Sequence, residues 1–359
     1  MLRTPYASER IQMVDPKTGI RITQLTSYPT PSVHLLYYWP SVTPDNRRIV
    51  LVAQRSAARL APWDLFRCDT DGLNLFQLTD YEQYDRSDGL PVHPAACMTL
   101  DGTKLYLTRD AILCELDIET GTMRDLATLE RFCRERSTFS HVRIGASGRL
   151  FLVQSFYATH AVRVDLATGE AVELELGGSL FSCSQDEPRL LVGRNKYSEF
   201  WSLDEDGGNP RYHCENVFAH STTMGRLPGI QGPGRPPERC IWLAQEGKQP
   251  EHLVEGPYFW HSSASFDGEW IISDTNWPDE GIKLVHVPTR RWRTLCHAHA
   301  TQGHPQWQHC HPALSQDGRI AVFDSDRTGV SQVYVAHVPD EFRESVKAGE
   351  LDRPRDKWI

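Results

Sequence analysis

The residues with the clearest capacity for chemistry form the segment QWQHCH at positions 306–311. On a β-strand, residues i and i+2 point to the same side, so His309 and His311 are expected to present two ring nitrogens to one point. Gln306, three residues before His309, can direct its amide oxygen to the same point. Cys310 points away by the same alternation, so no thiolate ligand is expected there.

A third imidazole comes from His261, in the segment FWHSSASFDG of the neighbouring repeat. Three imidazoles and one neutral oxygen make a cation site that leaves coordination positions for substrate or water. This donor set suits a borderline divalent metal such as Mn, Fe, Co, Ni or Zn. The sequence therefore predicts a metal site formed by His261, Gln306, His309 and His311.

A repeated turn pattern indicates the elements that would position these residues. The turn sequences TPDN, TLDG, GASG, SQDE, SFDG and SQDG end at positions 46, 102, 148, 187, 268 and 318, and RLPG (226–229) is interpreted as a degenerate seventh copy. Repeats of about 40–50 residues are typical of propeller blades. Short alternating β-rich runs flank each turn, as in hairpins of an antiparallel sheet.

The fold prediction is an all-β protein with one seven-bladed β-propeller domain over residues 1–359. Helical periodicity is confined to 129–136 and to the tail, which is expected to be partly helical within 340–359. The last repeat lacks an outer strand, and RITQLTSY (21–28) closely resembles the strand LFQLTDY (75–81). We therefore expect the N-terminal strand to pair into the last blade and close the ring. A two-domain β-sandwich is the alternative, but it explains the seven turns poorly.

Histidines recur at one position of the repeat. His141, His261 and His311 each lie seven residues before the turn glycine, and His93 and His220 lie nine before theirs. The strand before each turn is the innermost strand of a blade, and its start opens onto the central channel. Five repeats are therefore expected to direct an imidazole toward one axial pocket. The alternative is that these histidines only fill a wet channel and form hydrogen bonds there.

The composition argues against two classes of partner, nucleic acids and membranes. The chain has 38 Lys and Arg residues against 47 Asp and Glu residues, a net charge of −9, which argues against a nucleic-acid partner. No run approaches the ~18 apolar residues of a membrane span, so no membrane partner is expected. The polar first residues contain no apolar leader segment, and the nine cysteines form no CxxC pair. This pattern indicates reduced thiols in the cytoplasm.

Three segments resemble a known enzyme family. QWQHCHPALSQDGRIAVFDSD, FWHSSASFDG and AHSTTMGRLPG are similar to sequences of the oligogalacturonate lyases, polysaccharide lyase family 22. The resemblance covers most of the chain and is most specific in the Gln-x-x-His-x-His segment, whereas elsewhere it is shared with TolB-type propellers. It implies a cytoplasmic seven-bladed propeller that holds a manganese-like ion through three histidines and a glutamine, here His261, Gln306, His309 and His311.

The resemblance also implies roles for two further residues. His220, one blade before the first metal histidine, matches the family's proposed Brønsted base. Arg194 in LVGRNKY matches, loosely, an arginine that assists substrate binding. Independently of the family, Tyr37, Tyr38 and Trp260 can stack on sugar faces. We expect Tyr38, Trp260, His93 and His141 to contribute to substrate binding.

The predicted chemistry is β-elimination of a 4-linked uronate. It requires removal of the proton at C5, next to the carboxylate, and expulsion of O4. A divalent cation on the carboxylate stabilises the developing charge, and an imidazole of ordinary pKa suits proton removal at neutral pH. The substrate would be a small acidic oligosaccharide, with oligogalacturonate first and other uronate glycans next.

Two other functions remain open from the sequence. A non-catalytic TolB- or WD-like binding module requires no convergence of the four metal-site residues. A sialidase-like hydrolase requires the S-x-D-x-G-x-x-W box, which SFDGEW does not match because glycine directly follows aspartate.

Overall fold

Seven antiparallel sheets make up the protein, and each is one blade of a β-propeller. The structure is a computed structural model that describes residues 4–35, 37–58, 61–81, 96–133, 139, 141–154, 158–276, 278–303, 306–350 and 352, without the side chains of Thr4 and Gln306. The predicted fold class is confirmed.

The strands follow the chain from the axis outward in each blade. The first three belong to the N-terminal segment: β1 (Thr4–Pro5), β2 (Ile11–Val14) and β3 (Arg21–Gln24). Blades one to three contain β4 (Ser32–His34), β5 (Arg48–Ala53), β6 (Asp64–Asp69) and β7 (Phe76–Gln77); β8 (Ala96–Met98), β9 (Lys104–Arg109), β10 (Ile112–Asp117) and β11 (Met123–Thr128); and β12 (His141–Ile144), β13 (Leu150–Val153), β14 (His160–Val164) and β15 (Ala171–Glu175).

Blades four to seven continue the same order. They contain β16 (Ser179–Cys183), β17 (Arg189–Arg194), β18 (Glu199–Asp204) and β19 (Arg211–Glu215); β20 (Thr222–Met224), β21 (Leu227–Pro233), β22 (Cys240–Ala244) and β23 (Glu251–Glu255); β24 (Phe259–Ala264), β25 (Trp270–Thr275), β26 (Ile282–His286) and β27 (Arg291–Cys296); and β28 (Ala313–Leu314), β29 (Ile320–Ser325) and β30 (Gln332–His337). Within the described residues, the helical elements are two 3-10 helices, Glu130–Phe132 and Gln306–Gln308, and α1 (Asp340–Ala348).

The repeated turns join the innermost strand of a blade to the second strand. In the sixth blade, the N–H of Gly268 donates to the Ser265 carbonyl at 3.0 Å, and Asp267 Oδ1 accepts from the Glu269 N–H at 3.0 Å. Gly268 has φ +69°, a left-handed conformation that glycine adopts without steric cost. The turn lies at one end of the innermost strand. The start of that strand, near His261, therefore lies at the other end of the channel.

The N-terminal segment closes the ring, as the sequence predicts. In the seventh blade, β3 pairs antiparallel with β30, for example Thr23 with Val335, and β2 adds a fifth strand outside it. The closure has a second part, because β1 pairs with β7 on the outside of the first blade. One continuous segment therefore joins the first and last blades. The first blade gains one strand from it and the last blade gains two, which cover open edges.

The turn of the fifth blade differs from the prediction. The segment RLPG at 226–229 was expected to be the turn, but Leu227, Pro228 and Gly229 belong to β21. The turn lies at Gly225 and Arg226, between the paired residues Met224 and Leu227. Gly225 has φ +64°, so the glycine that permits the turn is the earlier of the two.

The first blade sends a loop into the central channel. Its innermost strand β4 ends at His34, and strand-like pairing resumes only at Val42, which bridges Ile49. Between them, the Trp39 indole N–H donates to the Met98 carbonyl in the second blade. Tyr37 in the same loop is 4 % exposed. We call residues 35 and 37–41 the channel loop.

The tail forms the helix that the sequence predicts. α1 begins after Pro339 and ends at Gly349, whose φ of +75° and N–H bond to the Val346 carbonyl end the helix. Phe342 and Val346 are buried against the outer strands of the sixth blade. Of the segment 129–136, Glu130–Phe132 is a 3-10 helix, and 134–136 lie outside the described residues. Among the described helices, none has the length and apolarity that a bilayer crossing needs.

Candidate metal centre

Three of the predicted ligands meet at the axis of the propeller. His261, His309 and His311 each offer a ligand atom within 4.8 Å of the other two. The ring centroids of His261 and His311 are 4.2 Å apart, and the other two ring pairs are 5.6 Å apart. Residues 50 positions apart in the sequence are thus brought to one point by two neighbouring blades.

His261 is held by a buried carboxylate. It lies in β24, at an irregularity in the pairing between Phe259 and Ser262. Asp274 of β25 accepts hydrogen bonds from the His261 backbone N–H at 2.6 Å and from Nδ1 at 2.9 Å. A carboxylate on one ring nitrogen fixes the tautomer and leaves the other nitrogen to bind a metal. Burial raises the pKa of the Asp274 carboxyl to about 7 and lowers the pKa of His261 well below its usual value.

His309 lies in a turn rather than on a strand. The sequence predicts strand alternation through His309 and His311, but the 3-10 helix Gln306–Gln308 precedes them and β28 begins only at Ala313. The strand geometry was therefore wrong, although the convergence of the two imidazoles was right. His309 Nε2 donates to the Gly303 carbonyl at 3.0 Å, which directs Nδ1 toward the other histidines.

His311 reaches the cluster through an unusual backbone. Its φ is +44°, a left-handed conformation that residues other than glycine rarely adopt. The His311 carbonyl accepts a hydrogen bond from His34 Nε2 of the first blade at 2.8 Å, and the backbone N–H of His34 donates to Asp324 at 3.1 Å. These buried bonds fix the backbone in this conformation. Cys310 lies between the two histidines in the chain and packs in the apolar core.

The donor set fits a divalent cation. His261 Nε2 and His309 Nδ1 are buried and have no hydrogen-bond partner, while the second nitrogen of each ring is occupied by a carboxylate or a carbonyl. A buried ring nitrogen without a partner is costly unless something binds it. Imidazole ligands suit Mn, Fe, Co, Ni or Zn. Gln306 begins the adjacent 3-10 helix, but its side chain lies outside the described part of the chain, so its role as a ligand stays a prediction.

The channel loop packs against the cluster. The Tyr37 ring stacks on His311 with centroids 5.6 Å apart and contacts His261 at 5.3 Å. Its hydroxyl donates to the Tyr38 hydroxyl at 2.8 Å, and the Arg143 guanidinium lies 5.6 Å from the Tyr38 ring centroid. Burial raises the pKa of both phenols, so both stay protonated at neutral pH. Tyr38, a predicted substrate-binding residue, is thus joined to the cluster through Tyr37.

His220 stands beside the cluster. Its ring centroid is 4.7 Å from that of His261 and 4.8 Å from that of Trp260, another predicted substrate-binding residue. The backbone at His220 is closely packed, because a Cβ on Gly232 would lie 1.9 Å from the His220 carbonyl oxygen. Burial lowers the pKa of His220, which keeps the imidazole neutral and able to accept a proton at neutral pH.

Two other predicted residues belong to the third and fourth blades, and a third lies outside the described residues. Arg194 ends β17, its guanidinium lies 4.9 Å from the Trp201 ring centroid, and Nη2 donates to the Leu176 carbonyl at 3.1 Å. His141 begins β12, the innermost strand of the third blade. His93 lies outside the described residues.

Sequence reasoning missed Asp274, and it named Tyr37 only as an aromatic that can stack on sugars. A signal for Asp274 was present, because an aspartate inside the apolar strand EWIISDT is unusual unless a partner satisfies it. The contact of Tyr37 with the cluster had no such signal, since it depends on where the channel loop folds.

The chain has a sequence relative among the oligogalacturonate lyases. The oligogalacturonate lyase of Dickeya dadantii (strain 3937) is 25 % identical over 232 residues, which cover 52 % of this chain and 58 % of that protein. The alignment thus spans less than two thirds of the relative's length. No family model matches the chain.

Two solved structures share the fold over almost the whole chain. An oligogalacturonate lyase in complex with manganese has a TM-score of 0.75 at 15 % identity, covering 95 % of this chain and 99 % of its own. An oligogalacturonate lyase from Vibrio parahaemolyticus has a TM-score of 0.73 at 15 % identity, covering 95 % and 100 %. At this identity the structural match establishes the propeller fold. The chain is therefore similar to oligogalacturonate lyases in sequence and in fold, which confirms the resemblance that its motifs indicated.

Proposed function

We propose that the protein is a metal-dependent lyase that cleaves short 4-linked uronate oligomers, with oligogalacturonate first, by β-elimination. The single observation that carries the proposal is the cluster of His261, His309 and His311 with the imidazole of His220 next to it. A binding module gives no reason for such a cluster. The named relatives support the same reaction class, because a sequence relative and two proteins of the same fold are oligogalacturonate lyases.

The three histidines, with Gln306 as a fourth ligand, would hold the cation. A divalent ion, manganese first and Zn, Fe, Co or Ni as alternatives, supplies Lewis-acid neutralisation of the uronate carboxylate when bound. Asp274 and the Gly303 carbonyl keep the ligand nitrogens of His261 and His309 directed inward. These bonds would orient the ligand nitrogens before substrate arrives, which reduces the cost of organising the reacting groups.

His220 would remove the C5 proton. Its neutral imidazole accepts that proton, the C5 electrons form the C4–C5 double bond, and the C4–O4 bond breaks. O4 leaves with a proton from water. A positioned general base contributes about 10²–10⁴-fold to such a step. The Trp260 ring, in edge contact with His220, restricts the orientation of the imidazole and offers an apolar face to the sugar.

Substrate recognition would use both carboxylate and sugar-face contacts. Arg194 is the last residue of the second strand of its blade. Its neighbour Gly193 pairs with Ser179, the first residue of the innermost strand. Arg194 therefore lies at the end of the channel where the innermost strands begin. From there its guanidinium can bind a carboxylate in a bidentate manner. His141 and His93 are proposed to line the same channel, and Tyr38 to contact the sugar.

The substrate is a small acidic oligosaccharide, and neither a nucleic acid nor a membrane is a proposed partner. All nine cysteines are free and eight of them are buried, which supports a cytoplasmic location. A lyase acting on another uronate glycan is the second candidate, since the three segments that carry the family resemblance do not include the channel loop of the first blade.

The experiment is an ultraviolet assay of the purified full chain, loaded with Mn²⁺ and incubated with several uronate oligomers. The proposal expects an absorbing 4,5-unsaturated uronate product, with oligogalacturonate the best substrate. His220→Ala should suppress the product by about 10²–10⁴-fold and retain the metal. No unsaturated product from any uronate oligomer, with metal bound, would contradict the proposal. Loss of the metal in His220→Ala would assign His220 to the metal site instead.

A further inference from the structure

A second group of metal-ligating side chains lies on the fifth blade, outside the axial cluster. Glu238, Cys240 and His252 each offer a ligand atom within 4.8 Å of the other two. Cys240 begins β22, His252 lies in β23, and Glu238 stands in the turn just before β22. These are the two outermost strands of the blade, whereas the axial histidines lie near the innermost strands of the sixth and seventh blades.

Strand pairing brings these side chains to one face. Trp242 pairs with His252 across the two strands, and the pairing is irregular between Ile241 and Trp242. The rings of Trp242 and His252 are in edge contact, with centroids 4.0 Å apart. The Trp242 indole N–H donates to Glu238 Oε2 at 2.7 Å, and Cys240 Sγ lies 3.9 Å from the same oxygen. One tryptophan thus orients both the carboxylate and the imidazole.

The backbone leaves space for these ligand atoms. A Cβ on Gly234 would lie 2.5 Å from Glu238 Oε2 and 2.9 Å from Cys240 Sγ, closer than real Cβ atoms come to either. Gly234 does not have a positive φ, so the turn does not require glycine for its conformation. Its N–H donates to the Cys240 carbonyl at 3.0 Å. The absence of a side chain at Gly234 allows the carboxylate and the thiol to approach each other.

We propose that Glu238, Cys240 and His252 form a second cation site of the zinc type, distinct in chemistry from the axial one. Thiolate, imidazole and carboxylate are the ligands of tetrahedral zinc sites, and sulfur selects against hard ions such as Mg²⁺ and Ca²⁺. The fourth position is filled by Glu255 or by a water molecule. Glu255 pairs with Cys240 across the strands, and its Oε1 lies 3.7 Å from His252 Nδ1. Binding replaces the thiol proton, which leaves to solvent.

The site would tie the turn at Glu238 and strands β22 and β23 together at the outer edge of the blade. Glu238 and His252 are exposed, so the ion can exchange with solvent without opening the fold, whereas Cys240 is 3 % exposed and anchors it to the sheet. This proposal does not depend on the lyase activity.

The test is a titration of the purified, metal-free full chain with Co²⁺, followed by absorption spectroscopy. A cobalt–thiolate bond gives a charge-transfer band in the near ultraviolet that an all-imidazole site lacks. The band should appear, saturate by two equivalents of Co²⁺ per chain because the axial cluster also takes Co²⁺, and disappear when Zn²⁺ is added in excess. A spectrum without the band, or a band that grows without saturation, would overturn the proposal.

Matched variants identify the residues that bind the cobalt ion and produce the band. Cys240→Ser should abolish it, whereas Cys214→Ser, at an equally buried cysteine on the outer strand of the fourth blade, should leave it intact. Glu238→Gln and His252→Gln, at exposed positions where folding is not at risk, should each weaken Co²⁺ binding by about tenfold or more. His309→Ala should keep the band. A band that survives Cys240→Ser, or that is lost in His309→Ala, would place the thiolate elsewhere and contradict the site.

Discussion

The carboxylate of Asp274 holds His261 at two points, through the backbone N–H at 2.6 Å and through Nδ1 at 2.9 Å. Both residues are almost fully buried, with side-chain exposures of 0 % and 1 %. A single carboxylate therefore sets both the position of the strand and the orientation of the imidazole. Nε2 of His261 is left to face His309 and His311.

Replacement of this carboxylate should weaken metal binding without removing a ligand. Asp274→Asn should lower the affinity for Mn²⁺ by about 10–100-fold, the usual cost of losing a partner behind a metal ligand. Asp64→Asn is the matched control, because Asp64 is a buried aspartate in the first blade whose partners are Thr79 and Tyr81. Calorimetric titration with Mn²⁺ measures both. Equal affinities in Asp274→Asn and wild type would show that the carboxylate does not orient a ligand.

The channel loop should matter to the metal through the ring of Tyr37 rather than its hydroxyl. Tyr37→Ala removes a buried ring that stacks on His311 and contacts His261, so it should lower both the Mn²⁺ affinity and the free energy of unfolding, the latter by about 3–5 kcal/mol. Tyr37→Phe loses only the bond to Tyr38, worth about 1 kcal/mol, and should bind the metal normally. Metal titration and urea unfolding check both variants. A Phe variant as defective as the Ala variant would assign the effect to the hydroxyl.

Arg194 should act on substrate affinity. Its guanidinium contacts Trp201 and the Leu176 carbonyl but no axial histidine in the described contacts, so it is expected to bind substrate without supporting the metal. Arg194→Ala should raise KM at least about tenfold, change kcat little and retain the metal. Arg211→Ala, an exposed arginine on the outer strand of the same blade, is the control. An unchanged KM in Arg194→Ala would remove Arg194 from the substrate site.

The sequence predicted the features that depend on local periodicity. The turns after the innermost strands, such as that at Gly268, follow a spacing that is visible in the sequence. The closing strand β3 likewise repeats a sequence pattern found in another blade. The position of His261 near the start of an innermost strand follows from the same spacing. These predictions required only that neighbouring repeats form similar hairpins.

The rest depended on where the chain departs from regular strands. His309 and His311 converge because a 3-10 helix and a left-handed residue replace the strand that alternation assumes. The register of the fifth blade follows Gly225 rather than RLPG, since either glycine could have formed the turn. The contact of Tyr37 with the cluster required knowledge of how the channel loop crosses between blades, which no periodicity in the sequence records.

The stability of the ring closure should depend on pH. Burial raises the pKa of Asp15, but hydrogen bonds to its carboxylate lower it by more. The donors are the His297 side chain and backbone and the backbone N–H groups of Thr18 and Lys17. The pKa of Asp15 therefore lies below its usual value. A carboxyl whose pKa is lowered on folding stabilises the folded state above its unfolded pKa of about 4, and this stabilisation is lost as the pH falls below that value. Asp15 joins the β2–β3 turn to the sixth blade, so acid should loosen the closure.

The variant Asp15→Asn tests this contribution. It should lower the free energy of unfolding at pH 7 by about 2 kcal/mol, the scale of hydrogen bonds to a buried charged group, and reduce the loss of stability below pH 4. Urea unfolding at a series of pH values measures it. Asp125→Asn, at an exposed ion pair of the second blade, should change neither quantity. The same acid dependence in Asp15→Asn and wild type would contradict the assignment.

The most direct test is the metal content of the purified chain. Wild-type protein produced with supplied Mn²⁺ should carry close to one Mn²⁺ per chain at the axial cluster after dialysis, as measured by plasma mass spectrometry. His309→Ala should lose that ion while keeping the circular dichroism spectrum of the folded propeller. Wild-type protein without bound metal, or His309→Ala with its Mn²⁺ content unchanged, would contradict the view that these histidines form a metal centre.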